Sequence, residues 1–399
     1  MIKINQTLKY NLLFAILFTS MLTPMIFFVM GLPMILQMKG FDASFIGMFQ
    51  LAGLPMVLKF LFSAPIDKIV FKKHHYKKWT LYSGVFYIGL LVAISFLSLE
   101  QDFYLVFISI LFTAFISTFM DIPINALAIK VFKKEERIGA GSFKISAYSL
   151  AAMLGGGVFL LFYNHLGWQS TFLIMAALVF LSLFSLYFIF ESEEIIENKK
   201  IKFKDILGFF KQDNIGIWIF ILSFYFASIS ALWVFMKPYL ISKGVKPDDV
   251  AIYVGIYGSF VAVFGGMLSS IVSKSFSKRT LLLVFMCFNI VSAMVLVAIE
   301  LYTLNFNFLL ISVTFTALSI ALSSAIVFSM IMDYSRSSSR AIDYSIQSSI
   351  FAFFRMISAV IAGILVSLQG FKNMFIFEAI VMVFVIFVIY RFYRVKEYS

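Results

Sequence analysis

The sequence predicts an all-α membrane protein with twelve transmembrane helices in two six-helix repeats. Of its 399 residues, 62% are hydrophobic and only 13% are charged, whereas an ordinary soluble domain has about 25% charged residues. Its apolar segments are long enough for helices, since a bilayer core takes about 20 helical residues, and they lack the short alternating pattern of a membrane β-barrel. A third observation, a sequence similarity between the two halves, predicts the repeat.

The apolar segments follow one another at short intervals along the chain. The first segment is preceded by lysines, but it is too long for a cleaved signal peptide and lacks a small-residue cleavage site, so we interpret it as the first span. The twelve segments are approximately 9–37, 43–67, 79–99, 102–129, 141–164, 169–190, 215–240, 248–272, 280–300, 305–333, 341–368 and 371–391.

The two halves share short motifs at a nearly constant spacing. PMILQMKGF at residues 33–41 resembles PYLISKGV at residues 238–245, and LGWQSTFLI at residues 166–174 resembles QGFKNMFIF at residues 369–377. The offset is 204 or 205 residues for the first pair and 203 for the second. Two distant pairs with almost the same offset favour an internal duplication.

The longest hydrophilic stretch divides the chain near its middle. It contains a group of glutamates followed by a group of lysines, which is typical of an exposed linker. We therefore predict an N-terminal six-helix bundle at residues 1–190, a cytoplasmic linker at 191–214 and a C-terminal six-helix bundle at 215–399. Parallel six-helix repeats are the architecture of major facilitator transporters, whose substrate site lies between the repeats near the bilayer midplane.

Basic residues in the connections predict the orientation. The connection at 68–78 contains five lysines and the tail after Tyr390 contains three basic residues, whereas alternate connections contain acidic residues such as Glu100 and Asp102. Short loops rich in Lys and Arg remain in the cytoplasm, so both termini are predicted to be cytoplasmic. The connection at 333–343 is neutral and departs from the pattern. Orientation also explains the net charge of +12 without a nucleic-acid partner.

Two opposite charges lie inside predicted spans at matching depth. Lys59 precedes Asp67 by eight residues, and Asp121 precedes Lys130 by nine, so each lies about 12–13 Å from the cytoplasmic end of its helix. Charges at such depth are costly and need a partner or a function. We expect Lys59 and Asp121 to pair. The pair is either a static ion pair or a site where Asp121 exchanges a proton while Lys59 or a substrate group neutralises its charged form.

The motif DIPINA at residues 121–126 adds polar groups beside that acid. Pro123 removes one helical hydrogen bond and predicts a local break in the helix, while Asn125 lies one turn after Asp121 and can supply polar contacts. We therefore assign Asp121 to proton coupling, Asn125 to substrate binding and Pro123 to gating.

Arg355 is the deepest permanent positive charge in the sequence, because it lies about fourteen residues into the eleventh segment and arginine stays protonated. We assign it to an anionic substrate group, together with Lys59 and with Gln347 and Tyr344 towards the cytoplasmic end. The alternative is a packing contact with Glu378 or with backbone carbonyls.

Small residues and prolines predict close packing and bends. Gly155–Gly157 and the pair Gly265 and Gly266 are expected to let helices approach each other closely. Pro24 and Pro55 are expected to bend the first two helices.

No motif in the sequence predicts an enzyme. His74, His75 and His165 lie in predicted loops, and the chain has no HExxH or GxSxG arrangement and no Gly-rich GK[ST] loop. Its one cysteine, Cys287, can form neither an intramolecular disulfide nor a cysteine metal site. We expect no catalytic residues, no cofactor and no metal, and an ion gradient as the energy source.

Four motifs resemble the AmpG-type branch of the major facilitator superfamily, which includes muropeptide permeases, acetyl-CoA transporter relatives and RhtX/FptX-type siderophore importers. The motifs are GLPMVLKFLFSAPIDK at 53–68, MDIPINALAIK at 120–130, ERIGAGS to NHLGW at 136–168, and MDYSRSSSRAIDYSIQSS at 332–349. The similarity covers most of the chain and is densest in the first half. This chain has Asn125 where the branch often has a second acid.

The resemblance implies a secondary transporter that works by alternating access in the bacterial cytoplasmic (inner) membrane. It implies proton-coupled import of an organic solute, either a siderophore or an anhydromuropeptide-like molecule, by a monomer whose partners are protons, the small-molecule substrate and the lipid bilayer. It also identifies Asp67 and Lys68 as the remnant of the superfamily's gating loop. A drug or metabolite efflux carrier of the same fold, and a channel or non-transporting sensor, remain as alternatives.

Overall fold

The computed structural model describes residues 6–59, 66, 71–132, 137–191, 208–272, 275–301, 306–336 and 340–393. Within these ranges the regular structure is helical and contains no strand. Nine helices in the described ranges are long and apolar enough to cross a membrane, and a shorter apolar helix covers Ala43–Val57. The described part of the chain therefore agrees with the all-α prediction.

Two of these helices are long enough to cross a membrane twice. Ser146–Phe188 has 43 residues and Asp343–Phe392 has 50. Each contains one glycine with a left-handed backbone, Gly167 with φ 78° and Gly370 with φ 81°. Because glycine adopts this conformation without the strain that a Cβ would cause, each long helix ends and restarts at its glycine.

With these breaks, the described residues form twelve helices, which is consistent with the predicted number of spans. Most of the predicted linker at 191–214 lies outside the described residues, as do Asp67 and Lys68. The helices are α1 Gln6–Met38, α2 Ala43–Val57, α3 His75–Ser95, α4 Phe103–Val131, α5 137–166, α6 168–188, α7 Ile215–Ser242, α8 247–272, α9 Lys278–Leu301, α10 Phe306–Asp333, α11 340–369 and α12 371–392.

The glycines with positive φ in the described residues match the repeated sequence motifs. Gly244 follows Gly40 by 204 residues, and Gly370 follows Gly167 by 203. In each pair both glycines have φ between 76° and 81°. The two halves thus share backbone turns as well as sequence, which supports the predicted duplication.

By its contacts the chain divides into two compact units. The first unit contains Met1–Gly31 and Leu58–Lys199, and the second contains Leu32–Val57 and Lys200–Ser399. The predicted division into residues 1–190 and 215–399 follows the sequence, whereas the packing assigns Leu32–Val57 to the second unit.

Glycines explain why that segment packs within the second unit. A Cβ added to Gly47 on α2 would lie 2.9 Å from the carbonyl oxygen of Ala359 on α11, and one added to Gly363 would lie 2.6 Å from the carbonyl oxygen of Ala43. Small residues allow such close approach of two helix backbones. Helices α2 and α11 therefore cross at a glycine on each side.

Asp42 caps the start of α2. Its carboxylate accepts a hydrogen bond from the hydroxyl of Ser367 on α11, and one from the backbone N–H of Ser44 at 2.8 Å. Both bonds stabilise the charged form, so they hold the pKa of Asp42 below its usual value. The carboxylate thus ties the N-terminus of α2 to α11.

In the first unit, α1 and α5 each contain a π-helical turn. These turns cover Phe27–Gly31, shortly after Pro24, and Leu154–Val158, which includes the three adjacent glycines. A Cβ added to Gly155 would lie 2.4 Å from the carbonyl oxygen of Thr23. Gly155 therefore serves close helix contact, as the sequence predicts. The same prediction is wrong for Gly266 in the second unit, where an added Cβ would meet no atom within 4 Å.

The neutral connection after α10 contains an internal ion pair. Arg336 donates to the carboxylate of Asp343 from Nε at 2.8 Å and from Nη2 at 2.7 Å, and Asp343 is fully buried. Asp333 pairs with Lys278. Because these charges hold the connection together, their balance reflects local structure and gives little information about orientation.

Candidate functional site

Lys59 and Asp121 form an ion pair in the first unit. The ammonium of Lys59 donates to Oδ2 of Asp121. The Lys59 side chain is 43% exposed and the Asp121 side chain 17%, so the lysine is the more exposed partner of the pair. The contact predicted from matching depth is present.

Lys144 on α5 joins this pair, and the sequence analysis missed it. Its ammonium donates to Oδ1 of Asn125 at 2.6 Å, and Nδ2 of Asn125 donates to the backbone carbonyl of Asp121 at 2.6 Å. Lys144 also lies 4.8 Å from the centre of the Phe18 ring. The lysine–aspartate cluster, as we call it, thus comprises Lys59, Asp121, Asn125 and Lys144.

The composition of the lysine–aspartate cluster limits what it can do. Two lysines and one aspartate carry a net charge of +1 when all three are ionised. Such a set can attract an anionic group, because the positive charge is not fully compensated. It also contains one carboxylate, Asp121, whose protonation would leave both lysines without their counter-ion.

Pro123 does not break α4. The helix runs without interruption from Phe103 to Val131, and Pro123 is buried within it. The predicted local break is wrong. Proline removes one helical hydrogen bond, but the 29-residue helix is continuous on both sides of it. The side chain of Asn125 donates a hydrogen bond to the backbone carbonyl of Asp121 within the same helix.

Gln347 in the second unit is engaged in internal hydrogen bonds. Its Oε1 accepts from Nε1 of Trp218 at 2.6 Å, and its Nε2 donates to the carbonyls of Ile331 and Asp343, each at 3.1 Å. The side chain is fully buried. This geometry supports a role in holding α7, α10 and α11 together and gives no support to the proposed substrate contact. Tyr344, by contrast, is 48% exposed.

Arg355 is partly exposed on α11. Within the described ranges it has no hydrogen-bond or ion-pair partner, and it does not pair with Glu378. The predicted alternative of a contact with Glu378 is therefore not observed. A guanidinium in this state remains a candidate for an anionic group.

Two further ionisable residues lie buried in the second unit. Lys237 on α7 is 3% exposed, and Glu378 on α12 is 1% exposed. The sequence analysis did not select Lys237, although a single lysine within the apolar run ALWVFMKPYL was a visible signal. It noted Glu378 only as a packing partner.

In the described part of the chain, no group of three or more His, Cys, Asp or Glu side chains could hold a metal ion. The one cysteine, Cys287, is exposed. The predicted gating residues Asp67 and Lys68 lie outside the described residues.

The sequence pattern of the Major Facilitator Superfamily matches residues 12–305. The match covers more than half of the chain, so this protein belongs to that superfamily and is a multi-pass membrane transporter. The expectation that it is not an enzyme is thereby confirmed.

Within the superfamily, its relatives carry the name AmpG. A putative transporter AmpG 4 from Rickettsia felis is 22% identical over 92% of this chain and 92% of its own length. A putative transporter AmpG 1 from Rickettsia bellii is 24% identical over 84% of this chain and 86% of its own length. The anhydromuropeptide permease of Escherichia coli is 24% identical over 65% of this chain and 56% of its own length. The predicted resemblance to the AmpG-type branch is confirmed.

Solved structures show the same fold. A bacterial homolog of the human lysosomal transporter Spinster, in an inward-facing and occupied conformation, superimposes with a TM-score of 0.73 at 13% identity and covers 96% of this chain and 95% of its own. The nucleoside transporter NupG superimposes with a TM-score of 0.74 at 12% identity and covers 96% of this chain and 100% of its own. The predicted major facilitator fold is confirmed.

Proposed function

We propose that this protein is a proton-coupled transporter that imports an anionic organic solute across the bacterial inner membrane by alternating access. The observation that carries the proposal is the lysine–aspartate cluster, in which the Asp121 carboxylate pairs with Lys59 and also interacts electrostatically with Lys144, which bonds to Asn125. Both termini lie in the cytoplasm, as the basic connections indicate. The transporter acts as a monomer.

Charge balance within the cluster links proton binding to substrate binding. While Asp121 is ionised, it neutralises part of the charge on Lys59 and Lys144. A proton on Asp121 removes that neutralisation, and the two ammonium groups then attract an anion more strongly, since unit charges 4 Å apart interact by about 4 kcal/mol near a protein surface. Proton and anion therefore bind together, which is the requirement for symport.

The relatives guide the choice of substrate. One is named as an anhydromuropeptide permease, and anhydromuropeptides carry carboxylates that the lysines can bind. We therefore propose an anhydromuropeptide-like solute first and a ferric siderophore second. Arg355, which has no partner among the described residues, is proposed to contact a further anionic group of the solute. Tyr344, which is 48% exposed on the same helix, is proposed to contact the solute about three turns away.

Transport in proteoliposomes tests the proposal. The purified full-length protein is reconstituted, an inward proton gradient is imposed, and uptake of labelled anhydromuropeptide or ferric siderophore is measured. We expect saturable uptake that the gradient stimulates and an uncoupler abolishes. In Asp121→Asn the stimulation is lost, whereas exchange of labelled for unlabelled solute without a gradient persists, because the amide keeps the shape of the side chain but cannot carry the proton.

Glu300→Gln is the matched control. It makes the same acid-to-amide change and breaks the ion pair between Glu300 and Lys243, whose charged atoms are 3.0 Å apart, so it should leave the stimulation unchanged. Full stimulation in Asp121→Asn would refute the coupling role. Unsaturable flux that does not respond to the uncoupler would indicate a channel, and solute binding without flux would indicate a sensor. Uptake stimulated only by an outward proton gradient would indicate proton–solute antiport, as in an efflux carrier.

A further inference from the structure

Glu378 is an acid buried inside the second unit. It lies eight residues after the helix break at Gly370, which places it about 12 Å along α12. Its side chain is 1% exposed. Acidic residues at such depth in a membrane-spanning helix are rare, and each is a functional-site hypothesis by default.

Two neutral hydroxyl groups lie beside Glu378. Its carboxyl group faces the side chains of Ser228 on α7 and Ser358 on α11. Its Oε1 atom has no hydrogen-bond partner among the described residues. Ser228 and Ser358 both lie well inside their helices, so the site is enclosed by the interiors of α7, α11 and α12.

No cation compensates this acid within the described ranges. Lys237 and Arg355, the basic residues in the interiors of α7 and α11, form no ion pair with it, and neither does Lys372 on α12. Other ionisable residues on the described parts of the helices packed against α12 are Tyr225 and Tyr239 on α7, Lys278, Arg279, Cys287 and Glu300 on α9, and Asp343 and Tyr344 on α11. None of them is an ion-pair partner of Glu378 in the described part either.

A buried carboxylate without a cation is unstable as an ion. Its desolvation costs several kcal/mol, and such a group takes up a proton instead. The protonated acid has one O–H donor and keeps acceptor capacity on its other oxygen. Serine hydroxyls both donate and accept, so Ser228 and Ser358 can bind the protonated and the ionised form alike.

We propose that Glu378 is a binding site for a transported proton in the second unit, in addition to Asp121 in the first. The inference rests on the proposed proton coupling. Its physical basis is the enclosure of a single acid by two hydroxyls without a counter-ion. A purely structural role at this position would be met equally well by glutamine, which has the same size, makes similar hydrogen bonds and carries no charge. Glu378→Gln therefore separates the two roles.

Infrared spectroscopy tests the bound proton directly. The full-length protein in detergent is titrated around neutral pH, and the carbonyl stretch of protonated carboxylic acids is recorded. We expect this band in the wild type at neutral pH, its loss in Glu378→Gln, and its retention in the control Glu300→Gln. Absence of the band from the wild type at neutral pH, or an unchanged band in Glu378→Gln, would overturn the proposal. The measurement on the wild type tests the proposal even if the variant fails to fold.

Transport tests whether the proton moves. In proteoliposomes we expect Glu378→Gln to lose stimulation of uptake by the proton gradient while exchange without a gradient persists. Retained stimulation in Glu378→Gln would make Glu378 a static neutral acid and overturn the inference, as would loss of exchange in a folded variant. Wild-type uptake without any stimulation would instead overturn the proposed function itself, so the two failures are distinguishable.

Discussion

Replacing Gly155 with alanine tests how closely α1 and α5 must approach within the first unit. The added Cβ would lie 2.4 Å from the carbonyl oxygen of Thr23 and 2.9 Å from the backbone nitrogen of Phe27. Ordinary contacts of a Cβ begin at 3.4 Å. Both obstructing atoms belong to the backbone and cannot rotate away, so the two helices would have to separate by about 1 Å if the added Cβ is to reach ordinary contact distance.

Overpacking of this kind costs about 1–3 kcal/mol, so we expect Gly155→Ala to lower the free energy of unfolding by that amount. Unfolding is followed by circular dichroism during titration with SDS in mixed micelles. Gly266→Ala is the matched control, because a Cβ there meets no atom within 4 Å and alanine favours a helix by up to about 1 kcal/mol over glycine. A Gly155→Ala midpoint equal to or above that of the control would refute the packing argument.

Three further outcomes follow from the described contacts. Lys144→Gln should raise the Kd for the anionic solute by about ten- to a hundredfold, since a hydrogen bond to a charged group contributes about 1.5–3 kcal/mol; calorimetry giving a wild-type Kd would contradict this. Gly370→Ala, where a Cβ meets no atom within 4 Å, should lose about 1–2 kcal/mol from its left-handed backbone alone, and an SDS midpoint equal to that of Gly266→Ala would exclude such strain. The lowered pKa of Asp42 means that its hydrogen bonds stabilise the fold above the usual carboxyl pKa of about 3.9 and are lost as the pH falls through the lower folded-state value. Unfolding midpoints measured across that pH range should therefore fall more in the wild type than in Asp42→Asn, and equal slopes would count against the Ser367 contact.

The parts of this molecule that sequence could predict are those encoded by rare residues. Lys59 and Asp121 stand out because charges are rare in apolar segments, and counting residues to the nearest loop was enough to place them at one depth. Gly167 and Gly370 fall within repeated motifs, so the turns they form could be located before their φ angles were known.

Residues whose role depends on distant partners could not be assigned in this way. Lys144 follows several other basic residues in the sequence, which is the pattern of a connection that sets orientation. Only α5, which begins at residue 137, shows that Lys144 lies inside a helix, where it bonds to Asn125. Gln347 was predicted to bind substrate because it is a polar residue towards the cytoplasmic end of its segment, but its partner Trp218 is 129 positions away in the sequence. No local sequence pattern predicts a contact between residues so far apart in the sequence.

The buried acids of the two units differ in how their charge is compensated. In the first unit an acid has more positive charge around it than it can neutralise, since Asp121 pairs with Lys59 and also interacts electrostatically with Lys144. In the second, Glu378 has no ion-pair cation among the described residues and lies beside the hydroxyls of Ser228 and Ser358. The first arrangement favours the ionised acid and the second favours the protonated one. If both acids carry protons during transport, a neutral amide should have a different effect at each position. Asp121→Asn would resemble the protonated acid at a position where the ion pair favours the ionised form. Glu378→Gln would resemble the protonated acid at a position where that form is already the favoured one. Asp121→Asn should therefore change the affinity for an anion in the absence of a gradient, and Glu378→Gln should not.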